Sequence, residues 1–423
     1  MRFQFIYPNW PKLHGQTEFN LPPLGIIQAA ASVPPDIEVV VRNEHVESVD
    51  FDGDYDLIGI SIMLSCQAPR AYELADRFRG EGKIVVLGGL HVALCPDEAA
   101  GHADSIVVGE AEGSLQRLVA DFRDGCMHHR YTRDALADTS QLPNPRRDLH
   151  DKKRLYTYKG WELVDLVETS RGCRFDCYPC CTPYLGGRVH RVRPIDHVLA
   201  DMERCSDLLF IVDNSLEQDL EYQKSLFRAM AGLGKRWVSH PITPVPEVLE
   251  LARDAGCWYV YHAIYTISDK IRDRIKMFHD HGIAVEGTIL LGLDDHTEDF
   301  IRRFIDFLQD IELDLAEFTV LTPFPHTRVH DDMEAEGRIF DRDWRHYNAG
   351  TVVYQPRQMS PETLQELYDE AWDRFYGDEP QHIKMSKLFW TVAKDSLKRR
   401  KGLTNARGAQ RGGPRRDLVE PKR

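Results

Sequence analysis

The chain has 423 residues, 42% of them hydrophobic, and a formal net charge of −14. That length allows two domains with sizeable cores, and no stretch approaches the ~20 consecutive apolar residues of a membrane helix. Nine cysteines without a secretory leader argue against a disulfide framework and for a reducing, cytoplasmic setting.

From Met1 to about Phe122, short apolar runs alternate with amphipathic stretches, the pattern of a parallel α/β sheet. Strands are expected at Phe3–Tyr7, Glu38–Val41, Leu57–Ser61, Ile84–Gly88 and Ser105–Val108, with a helix from about Ala68 to Gly80. Open sheets of this kind bind ligands beyond the carboxyl ends of their strands. Gly88 and Gly89, followed by His91, end one strand, and Gly109 and Glu110 end the next. Small residues there let a ligand approach the backbone closely. His91 has a competing explanation, since a polar residue just past a strand is usually satisfied by nearby backbone. Residues 123–160 read as an extended linker punctuated by Pro143 and Pro145.

From residue 161 the strand–helix alternation resumes, consistent with a partial (β/α) barrel of about six units over 161–330. Its first apolar run, Leu163 to Val167, leads through Ser170-Arg171-Gly172 into Cys173, Cys177 and Cys180, a C-x3-C-x2-C spacing. Thiolates are the ligands of iron–sulfur clusters. A cubane takes four ligands, so three close cysteines leave one iron open to a small molecule. Zinc would want four ligands, usually as two pairs, and no second pair exists at that spacing. Cys181 reads as a neighbouring buried thiol rather than a ligand.

Past the cysteines, Arg188, Arg191 and Arg193 form either a site that pairs with a carboxylate or phosphate or a solvated basic loop. An amphipathic helix is expected from Ile195 to Cys205 and a strand from Leu208 to Val212 that ends in Asp213. Polar residues at the carboxyl end of a barrel strand are where sites are built, which also singles out Ser239 and His240. A further strand carries Gly287 and ends at Gly292, and the last runs from Phe318 to Pro325. Residues 331–397 read as helices capping the barrel, their aromatics as core. In the tail, residues 398–423, ten Lys or Arg stand against Asp417 and Glu420, and no apolar periodicity is present. Such a segment is expected to be solvated and disordered. The acidic balance of the rest argues against nucleic acid as a partner.

The cysteine loop after a first barrel strand resembles the radical SAM superfamily. The segments Pro22-Pro23-Leu24-Gly25, Asp56 to Ser61, Gly88-Gly89-x-His91 and Val108 to Glu112 resemble the cobalamin-binding domain found ahead of many radical SAM cores. The resemblance covers nearly the whole chain to about Leu397. It implies a doubly wound sheet binding cobalamin over residues 1–122 and a [4Fe-4S] cluster on Cys173, Cys177 and Cys180. It also implies S-adenosylmethionine (SAM) near Asp213, Ser239, Gly287 and Gly292, with the corrin beside Gly88, Gly89, His91, Gly109 and Glu110. Asp148-Leu149-His150 is followed by Lys153 rather than glycine, so no protein histidine is expected on cobalt. Two departures stand out: Tyr261 to Thr266 lacks the acidic residue usual at that turn, and His326 stands where relatives commonly have glycine.

The resemblance implies methylation of an unactivated centre of a small molecule, with an external electron donor such as flavodoxin or ferredoxin. The alternatives are non-methylating radical chemistry, such as cyclisation or transfer of the 3-amino-3-carboxypropyl group of SAM, and an iron–sulfur redox sensor.

Overall fold

In a computed structural model, residues 1–10, 21–133, 135–149 and 164–377 are described, with a few isolated positions between 379 and 394. Trp161, His150 and the basic tail lie outside the described residues. Two parallel six-stranded sheets organise the molecule.

The first sheet contains β1 (Arg2–Tyr7), β2 (Glu38–Asn43), β3 (Leu57–Ser61), β4 (Ile84–Gly88), β5 (Ser105–Val108) and β6 (Arg130–Thr132), in the order β2-β1-β3-β4-β5-β6. Every pairing is parallel. Both faces are covered, which is why the central strands read as unbroken apolar runs rather than as alternations. One face packs against helix Ala68–Gly80 through Leu74, Ala75 and Phe78. The other packs against helices Leu24–Ala31 and Ser114–Arg123 through Ile26, Ile27 and Leu118. Strand β6 comes from the stretch read as linker; it holds only one buried residue, Tyr131, so its apolar signal is weak.

Later in that stretch, the chain is fastened to the second sheet. Arg147 grips Asp201 in a two-pronged ion pair, Nε to Oδ1 at 2.8 Å and Nη2 to Oδ2 at 3.0 Å. Both groups are buried and Arg147 also donates to the Leu166 carbonyl, so the satisfied geometry offsets the desolvation of the pair.

The second sheet contains β7 (Val164–Val167), β10 (Leu208–Ile211), β11 (Arg236–Ser239), β12 (Cys257–Ile264), β13 (Ala284–Leu291) and β14 (Leu315–Val320). They lie side by side in chain order and all parallel, with β7 and β14 as edges. This order is compatible with an open, partial barrel. Between β7 and β10 the chain makes an excursion based on two short antiparallel strands, β8 (Ser170–Arg171) and β9 (Arg191–Val192).

One expectation needs revision. The last strand begins at Leu315 and stops at Val320, because Pro323 and Pro325 cannot donate to a ladder. Helix Pro361–Tyr376 packs beside β14 and helix Glu298–Asp310, where Trp372, Phe375 and Tyr376 enter the core. The Tyr376 hydroxyl takes the Ala316 N–H at 2.7 Å and donates to the Ala316 carbonyl at 2.6 Å, covering both outward groups of that edge residue. Among the described residues no helix is long and apolar enough to cross a membrane.

Candidate functional site

The cysteines hang from a closed base. β8 and β9 pair across it, and the Cys173 N–H donates to the Gly187 carbonyl at 3.1 Å. Gly172 adopts φ +76°, and a Cβ there would stand 2.7 Å from the Gly186 carbonyl oxygen, so only glycine fits between the two feet. Gln218 braces the loop from the neighbouring strand end, accepting from the Arg174 N–H at 2.8 Å.

All three thiols are free; Cys173 is buried, Cys180 half-buried and Cys177 exposed. Burial pushes the Cys173 and Cys177 thiols up, and the charge of Cys180 adds to the rise of both, so the three sulfurs share one neighbourhood. Among the described residues no three His, Cys, Asp or Glu side chains converge on a single ion. That does not count against a cubane, whose thiolates bind different irons. A soft, three-thiolate donor set on a loop with one exposed member suits an iron–sulfur cluster with an open iron.

Beside this base lies a cavity of about 410 Å³ between the carboxyl ends of the two sheets. Gly88, Gly89, Gly109 and Glu110 line it from the first sheet; Arg171, Gly172 and Asp213 line it from the second. Its floor is apolar, formed by Phe3, Phe5, Val86 and Leu115. Gly25 and Gly109 also line it, and a Cβ built on either would meet nothing within 4 Å, so both keep open space that a side chain would fill. An apolar floor with a glycine-edged rim suits a large flat ligand.

The comparisons bear directly on that cavity. Residues 15–119 match the B12 binding domain family. Along most of its length the chain is similar to curated methyltransferases. It is 29% identical over 378 residues to the bacteriochlorophyllide d C-12(1)-methyltransferase of Chlorobaculum tepidum, covering 82% of this chain and 80% of the relative. It is 22% identical to the hopanoid C-2 methylase of Rhodopseudomonas palustris, over 87% of this chain and 76% of the relative. Among solved structures it shares its fold with the radical SAM methyltransferase TsrM of Kitasatospora setae, a structure with cobalamin and a [4Fe-4S] cluster bound. That match has a TM-score of 0.63 at 16% identity and covers 87% of this chain and 85% of TsrM. The first sheet of this chain thus matches a B12-binding domain, and the whole shares the fold of a radical SAM methyltransferase.

The expected cofactor residues fall into two groups. Gly88, Gly89, Gly109, Glu110 and Asp213 meet at the cavity; His91, Ser239, Gly287 and Gly292 do not line it. Asp213 is buried and its oxygens are already engaged. Oδ1 accepts from the Thr169 N–H at 2.7 Å, and Oδ2 accepts from the hydroxyls of Thr169 and Ser170 at 2.6 and 2.5 Å. Burial holds its carboxyl above the ordinary range although these hydrogen bonds oppose the rise. It thus ties the end of β7 to the end of β10, at the root of the cysteine loop.

The imidazole of His240 lies 2.7 Å through Nδ1 from the Asp213 carbonyl, which fixes the proton on that nitrogen and leaves Nε2 an acceptor. Burial depresses its basicity, which favours the neutral ring. Its ring packs against Phe210 and Tyr261 on the inner face of the sheet. The Ser239 hydroxyl donates to the His240 carbonyl at 2.8 Å.

Gly287 and Gly292 have packing reasons of their own. A Cβ on Gly287 would crowd Leu313 at 2.8 Å on the helix side of β13. Gly292 sits at φ +88°, and its carbonyl accepts from the Tyr354 hydroxyl at 2.5 Å. His91 is fully buried, with Nε2 3.1 Å from the Tyr72 hydroxyl and Nδ1 3.1 Å from the Ser65 hydroxyl. Its ring meets Trp344 edge-on at 5.0 Å, and the Trp344 indole N–H donates to Glu98 at 2.8 Å. This cluster clasps the first sheet to the segment after the barrel.

The arginines are neutralised within the protein. Arg188 pairs with Asp176, and Arg191 with Glu110. Arg193 is buried, donates to the Glu168 carbonyl and Asn144, and has the Asp201 carboxylate 3.9 Å away. Sequence reasoning missed the carboxylate partners Glu110 and Glu112 of Arg191 and Arg171, which lie some 60–80 residues upstream. The only available signal was the acidic spacing of Glu110 and Glu112 against Arg171 and Arg191.

Proposed function

We propose that this enzyme is a cobalamin-dependent radical SAM methyltransferase acting on an unactivated centre of a small molecule. The observation that carries this reading is the shared cavity, walled on one side by the B12-domain turns and on the other by the foot of the cysteine loop. The named activities of the two relatives, methyl transfer to a bacteriochlorophyllide and to a hopanoid, support it.

Cys173, Cys177 and Cys180 would hold the cluster, and the glycine rim of Gly25, Gly88 and Gly109 would receive the corrin. When bound, cluster and SAM supply reductive cleavage of a carbon–sulfur bond, and the corrin supplies a transferable methyl group. The chain's own contribution is placement. Asp213 fixes the root of the cysteine loop, His240 presents a neutral acceptor nitrogen on the inner sheet face, and the cavity floor is apolar. An external one-electron donor completes the reaction.

The test is an anaerobic incubation of reconstituted full-length protein with SAM and a reductant, with and without methylcobalamin, resolved by mass spectrometry. Cobalamin-dependent 5′-deoxyadenosine together with S-adenosylhomocysteine is the expected outcome. Methylthioadenosine in their place would mean that SAM is cut at another bond, as in 3-amino-3-carboxypropyl transfer, and would overturn the methyltransferase reading.

A further inference from the structure

Both feet of the cysteine loop end on one carboxylate of the other domain. Arg171 lies on β8 and Arg191 on β9, the two strands whose pairing closes the loop. Glu110, in the turn after β5, takes Arg191 in a fork, Nη2 to Oε1 at 2.7 Å and Nη1 to Oε2 at 3.2 Å. Arg171 Nη1 lies 3.5 Å from the same Oε1, and the Ala137 N–H donates to Oε2 at 2.8 Å. Arg171 is further held by Glu112 at 2.8 Å and by Glu168 at 2.7 Å. Glu110 is only 7% exposed, so these charged contacts are shielded from water and fixed in direction. The same residue lines the cavity beside Gly109.

A ligand seated over the Gly109 turn therefore rests on the residue that grips the loop. We propose that Glu110 is a positioning residue coupling the two cofactor sites, so that cobalamin in the cavity tightens the cysteine loop on its cluster and the cluster favours cobalamin. This inference rests on the cofactor reading above. Coupling between two binding sites is reciprocal in free energy. If the network were only structural glue, losing Glu110 would lower stability and weaken each cofactor without changing how one affects the other.

The experiment titrates hydroxocobalamin by absorbance into full-length protein with and without a reconstituted cluster, and follows iron loss to a ferrous chelator with and without hydroxocobalamin. In the unaltered protein the cluster is expected to tighten cobalamin about fivefold or more, the usual scale of such coupling, and cobalamin to slow iron loss. In Glu110→Gln both ratios fall to one while each cofactor still binds singly. Arg191→Lys, which keeps the charge but breaks the fork, gives the same reading should Glu110→Gln fail to fold. Ratios of one in the unaltered protein, or ratios unchanged in the variants, overturn the coupling and leave the cofactor reading standing. Failure of the unaltered protein to take up cobalamin or iron overturns both.

Discussion

Glu286 shows what a single buried acid does to this protein. It lies on β13, 2% exposed, with Oε2 lacking any hydrogen-bond partner. Burial, reinforced by the charge of Glu317, lifts its carboxyl well above the usual range. A folded-state pKa above the unfolded one means that ionisation favours unfolding. The resulting destabilisation is absent below the unfolded carboxylate range and grows as pH rises through it. Glu286→Gln is therefore expected to raise the melting temperature at pH 8 by something on the order of a few degrees, with the gain shrinking toward pH 4. Calorimetry across that pH range checks it; an equal gain at both ends would point to a cause other than charge.

At the same scale, the legible residues were those whose chemistry is local. Cys173, Cys177 and Cys180 announce themselves because all three ligands fall within eight residues. The partners of His91 (Ser65, Tyr72 and Trp344) are dispersed along the chain, and nothing near His91 in sequence tells a cofactor contact from a buried clasp. The reading of Arg188, Arg191 and Arg193 as anion ligands identified the right chemistry, but the anions are the protein's own carboxylates. His326, noted as a departure from the family pattern, adopts φ +62°, the left-handed region where glycine is at ease.

Elements were legible where an apolar period runs unbroken between turn residues. Helix Ala68–Gly80 and strands β3, β4 and β5 fall at their expected bounds. Strand β14 was displaced because Leu321 to Pro325 continues the apolar run past the ladder, and the stop lies in proline chemistry rather than in hydrophobicity. Helix Leu24–Ala31 carries a prediction of its own. Gly25 sits in its first turn, exposed and lining the cavity, with no atom within 4 Å of where a Cβ would stand. Leucine there suits the helix better than glycine does while occupying the cavity. Gly25→Leu is expected to keep or raise the melting temperature and to weaken hydroxocobalamin binding at least about tenfold, a loss of roughly 1.4 kcal/mol. An absorbance titration checks it, and unchanged affinity would place the corrin elsewhere.

For the whole molecule, the two sheets are joined at separate places: the ion network around Glu110, the Arg147–Asp201 fastening, and the Trp344 clasp. The clasp lies away from the cavity, so it tests assembly apart from cofactor binding. Trp344→Ala removes the indole contacts to His91, Glu98 and Tyr347. Truncating a large aromatic in such a contact costs about 3 kcal/mol or more where it is fully buried; this one is only partly so, and a smaller loss is expected. Limited proteolysis should then cut first near residues 340–350, whereas the unaltered protein resists there. Equal resistance in the two proteins would show that the ion network and the Arg147–Asp201 fastening hold the domains without the clasp. None of these joints was visible in composition or periodicity, because each pairs side chains from segments whose spacing is set only by the finished fold.

The hydroxyl of Tyr376 has a consequence for the chain during its synthesis. Strands of the second sheet lie side by side in the order in which they are made, and β14 comes last, with one flank unpaired by any strand. Until Tyr376 arrives, the Ala316 N–H and C=O are an open template for any other strand. A polypeptide ending shortly before Tyr376 would keep that template bare and is the form in which this protein would aggregate.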